Sequence, residues 1–170
     1  MLRTAVAFIA GAGLALSAAL GASAAEEGTI QLAFVHPMVM PLTVTSQAQT
    51  LFSDVNATRA RLGLSQLVDD PKLDAFAKQL ADQMAKRHYF GHTDPNGVTF
   101  EQRLQSSGYR YTFAAENIAF DQDESHANQA FLHSPGHYAN IVDPTPHKLG
   151  TAVVAAGDGE IFYVEEFAAN

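Results

Sequence analysis

The chain contains no cysteine and no tryptophan in its 170 residues. Without cysteine there is no disulfide, no lipid attached through a thioether or thioester, no thiolate metal ligand and no cysteine nucleophile. Basic residues are scarce as well, ten against eighteen acidic ones, giving a formal charge of −8 with histidine neutral. No cluster of Lys and Arg exists that could track a phosphate backbone or an anionic bilayer, which excludes nucleic acid and acidic membrane surfaces as partners. No G-x-S-x-G elbow and no glycine-rich phosphate loop ahead of a helix occurs either. There is no internal repeat or low-complexity stretch.

The N-terminus decides the compartment. Arg3 is followed by the apolar run TAVAFIAGAGLALSAALG and then by Ala22-Ser23-Ala24, a small-residue cleavage site. That order reads as a secretory signal peptide over residues 1–24, cut between Ala24 and Ala25, so the mature chain is secreted or periplasmic with no stable membrane anchor. Losing Arg3 makes the mature protein one unit more acidic. Residues 25–170 form one domain large enough to fold on packing alone. Pro37 and Pro41 argue against a helix in residues 25–45, which read as an extended arm with an edge strand around Ile30–Val35.

From residue 46 onward, helix signals accumulate. Ser46 with Gln49 makes a capping box ahead of an apolar stripe of Ala48, Leu51, Phe52, Val55 and Leu62, with Gly63 at the stop. Asp70 and Pro71 open a second helix whose Leu73, Phe76, Ala77, Leu80 and Met84 repeat at helical spacing. Thr99 with Gln102 opens a short third helix ending near Gly108. A fourth helix runs from about Ser125 to Leu132, where Pro135 and Gly136 interrupt it, and Ser134 then caps a fifth. The end differs in kind. LGTAVVAAGDGEIFYVEEFA is two β-rich runs around Gly157-Asp158-Gly159, a hairpin whose first run is apolar on both faces and so belongs at the centre of a sheet. Helices followed by a long apolar hairpin predict an α+β layered fold around an antiparallel sheet.

Six of the seven histidines fall between His88 and His147. His92 lies in GHTDPNG, a turn sequence that displays the ring. His137 is the third residue of a helix, where the dipole favours a neutral imidazole able to accept a hydrogen bond or bind a metal. Glu116 is a charge inside an apolar stretch, costly unless it is paired. Each position has a plain structural alternative: a loop bond, a turn cap, a salt bridge. Together the two rings and the acid would suit zinc or another divalent cation with one open position, or equally a polar cleft holding a general base. Ser134 lies beside His137 and would line the same cleft. A glycosidase would need a second facing carboxylate, for which only Asp121, Asp123 or Glu124 offer themselves.

The stretches LFSDVNATRARLGLSQLVDDPKLDAFAKQLADQMAKRHYFGHTDPNG, AENIAF, SPGHYANIVDPTPHKLGTAVV and FYVEEFA resemble, in order and spacing, the bacterial branch of the CAP superfamily. That superfamily unites cysteine-rich secretory proteins, antigen 5 and pathogenesis-related 1, and its unit is also called the SCP domain. The resemblance runs from about Leu51 to Phe167 and implies a CAP/SCP domain over residues 46–170, with a three-layer α-β-α sandwich around a central antiparallel sheet. It also implies a surface cleft where His92, Glu116 and His137 converge, a set that in several members holds a divalent metal. Two functions follow. One is a binding module for lipid, envelope or other extracytoplasmic ligands. The other is a metal-dependent hydrolase of protein or envelope polymer, with these three residues as its catalytic candidates. The chain departs from the pattern in having no cysteine, no clear second cleft acid, and Phe131 where tryptophan is common.

Overall fold

The computed structural model describes residues 44–157 and 159–170. The leader, the extended arm before Val44 and the strand expected at Ile30–Val35 lie outside the described residues. Among those described, the elements run α1 (Val44–Arg61), β1 (Val68–Asp69), α2 (Pro71–Arg87), α3 (Phe100–Ser106), β2 (Phe113–Asp121), α4 (Glu124–His133), α5 (Pro135–Val142), β3 (Lys148–Ala155) and β4 (Ile161–Ala169).

The caps explain most of these boundaries. Asp70 accepts a hydrogen bond from the Lys72 N–H at 3.0 Å, and Pro71 occupies the first helical position, where a missing N–H costs nothing. Thr99 and Gln102 form a reciprocal capping box at α3. Helix α1 stops where Gly63 takes φ +71°, a conformation other residues adopt only with strain. Three expectations shift. Helix α1 is already formed at Val44, so Ser46 lies within it and not at its cap. Leu62 leaves the apolar stripe and is 52% exposed beyond the helix end. Helix α4 begins at Glu124, because the Asp123 carboxylate accepts from the His126 N–H at 2.9 Å.

The sheet order is β1-β3-β4-β2. The β3–β4 hairpin and the β4–β2 pair are antiparallel as expected, whereas the two-residue β1 runs parallel to β3 at the edge, so the sheet is mixed. Side chains alternate across a strand. One face therefore carries Ala114, Ile118, Ala152, Phe162 and Val164, which pack on α2 and α3 through Phe76, Ala77, Leu80, Met84, Phe100 and Leu104. The other carries Ala115, Ala119, Val153, Tyr163 and Phe167, which pack on Leu51 and Val55 of α1, Phe131 of α4 and Ile141 of α5. These are the three layers of the α-β-α sandwich. Arg59 ties the last of them together. It is 1% exposed, and its guanidinium donates to the carbonyls of Ser65, Ile141 and Asp143 at 2.8, 2.8 and 2.7 Å.

Candidate functional site

His92 reaches its position because its turn is built by Asp94. That carboxylate accepts from the N–H groups of Asn96 and Val98 at 2.8 and 2.9 Å and from Arg87 at 2.7 Å. These bonds, with the one from Val98 foremost, hold the Asp94 carboxyl below its usual range. The ring then points inward. His92 Nδ1 lies 2.7 Å from Glu116 Oε1, and with a carboxylate as acceptor it is Nδ1 that carries the proton. The second oxygen of Glu116 takes Nη2 of Arg103 at 2.7 Å, while Nη1 of the same guanidinium binds the His92 carbonyl at 2.7 Å. Arg103 thus clamps both members of the pair from α3.

Glu166 stands directly across the ladder from Glu116, on the same face. Burial first, and then repulsion by and a shared hydrogen bond with Glu116, hold the Glu166 carboxyl well above the usual range. The two carboxyls share a hydrogen bond on this face of the sheet.

Through the sheet, the neighbouring residues build a different network. Asn117 donates to Glu165 Oε2 at 2.8 Å and to the His137 carbonyl at 3.2 Å, and accepts from Asn140 at 2.8 Å. His137 is the third residue of α5, and its ring meets Phe131 edge-on with centroids 5.2 Å apart. Ser134 has the extended backbone of a helix cap and is buried, but its side chain makes no capping bond. Burial drives the Glu165 carboxyl up to about 8, against the pull of the Asn117 amide. Glu124, at the head of α4, is raised to about 7 by burial and by Asp54.

His92 and Glu116 are therefore joined, and the backbone of His137 is tied to the strand of Glu116 through Asn117. His92, Glu116 and His137 are 5%, 1% and 2% exposed, so these side chains are buried and not displayed in an open cleft. Among the described residues no group of three or more His, Cys, Asp or Glu side chains is arranged to hold a metal ion. Both oxygens of Glu116 are moreover engaged by His92 and Arg103. The residues as placed do not fit a resident divalent cation.

Open concavities among the described residues lie elsewhere. A hollow of about 600 Å³ sits between α1 and α2, floored by Thr151, Ala152 and Val153 of β3 and walled by Ala48, Phe52 and Ala75, with Asp69, Asp74 and Lys78 at its rim.

Residues 52–167 match the CAP family, described as the cysteine-rich secretory protein family. YkwD of Bacillus subtilis, itself uncharacterised, is 31% identical over 119 residues, covering 69% of this chain and 46% of its own length. An extracellular SCP-domain protein of Bacillus anthracis is 29% identical with a TM-score of 0.68 over 77% of this chain and 45% of that one. An outer surface protein of Borrelia burgdorferi, 22% identical, shares the fold with a TM-score of 0.70 over 77% of this chain and 98% of its own. This chain spans about half the length of its Bacillus relatives. The family match covers most of the sequence, and the chain belongs to the CAP, or cysteine-rich secretory protein, family.

Proposed function

We propose that this protein is an exported CAP domain that works by binding an extracytoplasmic ligand (a lipid, an envelope component or an extracellular partner) and not by turning one over. One observation carries the reading: the His92–Glu116–Arg103 cluster is buried and both Glu116 oxygens are engaged within the fold, whereas the open hollow lies apart from that cluster. A hydrolase needs a base within reach of substrate or water. The extracellular character of the similar Bacillus anthracis protein supports export, as does the leader-like start of the chain. Among the described residues no helix is long and apolar enough to cross a membrane.

The test uses the exported protein, whose intact mass should correspond to a chain starting at Ala25. It is incubated with phospholipid vesicles, peptidoglycan fragments and a peptide panel, and both capture and products are followed. The expected result is saturable capture with no product. Product formation that disappears in both His92→Ala and Glu116→Gln, with folding intact, would overturn the reading in favour of a hydrolase.

A further inference from the structure

The hollow between α1 and α2 lies along a sheet edge that no strand among the described residues pairs with beyond Leu149. Strand β1 covers β3 only at Lys148 and Leu149, and the Leu149 carbonyl accepts from the Asp70 N–H at 3.1 Å on that side. Alternation then turns the backbone groups of Thr151, Val153 and Ala155 toward the same open side. The Thr151 N–H confirms this, since it donates 2.8 Å to the Asp74 carboxylate, a side chain standing where a neighbouring strand's carbonyl would be. Beyond that point no strand runs beside β3 among the described residues. Uncovered edges are usually blocked by charge, proline or a covering element, because they template pairing with another chain. Here charge stands at one end only, with Asp69 and Asp74, and the rest is walled by Ala48 and Phe52 on α1 and Ala75 on α2.

The charges at one end restrict the occupant. Asp69 and Asp74 both line the hollow, and Asp74 is raised by burial and by the repulsion of Asp69. Lys78 on the rim is engaged with Asp82 at 3.1 Å and does not neutralise them. A cation entering there would relieve the repulsion, whereas an anionic headgroup would add to it.

We infer that the hollow binds an extended peptide, which adds as a strand beside Thr151–Ala155 and places a Lys or Arg side chain near Asp69 and Asp74. Main-chain bonds to Val153 and Ala155 supply affinity, and the acidic end supplies register and selectivity. This inference rests on the binding reading above and names the ligand class.

The probe is a fluorescein-labelled peptide of about eight residues, alternating Val and Thr with one Lys near its end, a length suited to one strand. Its binding to the exported full protein is read by anisotropy, and protection of the Val153 and Ala155 amides by hydrogen exchange. Saturable binding is expected, with both amides protected only when peptide is present. N-methylation of alternate peptide amides, or Lys replaced by Glu, should weaken binding about tenfold or more. Ala75→Trp, on the exposed face of α2, should abolish it with the unfolding midpoint unchanged; Asp69→Asn is a second variant that leaves the walls intact and should weaken it. Absence of peptide binding, or binding indifferent to N-methylation and to Ala75→Trp, overturns the inference. So does amide protection in the isolated protein, which would assign the edge to residues preceding Val44, or self-association lost in Ala75→Trp, which would assign it to a second copy. If vesicles are captured and the peptide is not, the binding reading stands and this inference fails. Product formation fails the former alone.

Discussion

Glu165 and Glu166 are consecutive in the chain, yet one carboxyl enters each α-β layer. Both are buried, and burial raises both carboxyls above their ordinary range. The stability consequence has a definite sign. A carboxyl whose folded pKa is raised binds more protons in the native state, so its contribution is complete below the unfolded value near 4.5 and is lost as pH rises toward the folded value, about 8 for Glu165. Unfolding free energy should therefore fall as pH rises from about 5 toward 8 on account of Glu165, and the raised Glu166 carboxyl acts in the same direction. Glu165→Gln keeps an oxygen for the Asn117 amide and removes the ionisation, so denaturant titrations at pH 5 and pH 8 should show a shallower decline and a more stable variant at pH 8. An unchanged slope would contradict this account of Glu165. The two glutamates were visible in FYVEEFA as adjacent charges in an apolar strand. Period two alone requires that they bury on opposite faces.

At the scale of elements, the caps were the legible part. Asp70-Pro71, Thr99-Gln102 and Pro135 place helix starts because their chemistry is local. Strand β2 was not legible as a strand, since Phe113 to Ala119 is buried at every position and shows no alternation to read. The two-residue β1 exists only through its pairing with β3, a contact between distant segments that no local pattern encodes. A related non-local contact is the approach of β3 to the first turn of α2. A Cβ added to Gly150 would overlap the backbone of Leu73 and Asp74, neither of which can swing away as a flexible side chain would. Gly150→Ala should therefore destabilise the fold by about 2 kcal/mol or more, at the upper range of overpacking costs. It should also disturb the Thr151–Asp74 bond beside the open edge. Equilibrium unfolding in urea checks the first effect, and a cost below about 0.5 kcal/mol would mean that the helix slides away from the strand without penalty.

For the whole molecule, the layering and the family were readable from the order of four motifs, whereas the state of the site was not. Motif matching brought His92 and Glu116 together correctly, but it could not reveal that Arg103 from α3 fills the other half of Glu116. Nor could it reveal that the pair is buried. An arginine at that spacing on a short helix looks like any solvated charge until the tertiary contact forms. The proposed function separates two jobs: a closed ionic cluster that fastens the His92 turn and α3 to β2, and an open hollow at the β3 edge proposed to take a partner.

The division of labour is tested most directly by a double-mutant cycle on stability, using His92→Ala, Glu116→Ala and the combination in urea unfolding near pH 6. The account predicts that Glu116→Ala costs about 3–5 kcal/mol, because Arg103 is left buried without its acid, with a coupling between the two sites above about 1 kcal/mol. Single costs below about 0.5 kcal/mol that simply add would contradict it, returning His92 and Glu116 to the reserve of groups that a fold keeps for chemistry.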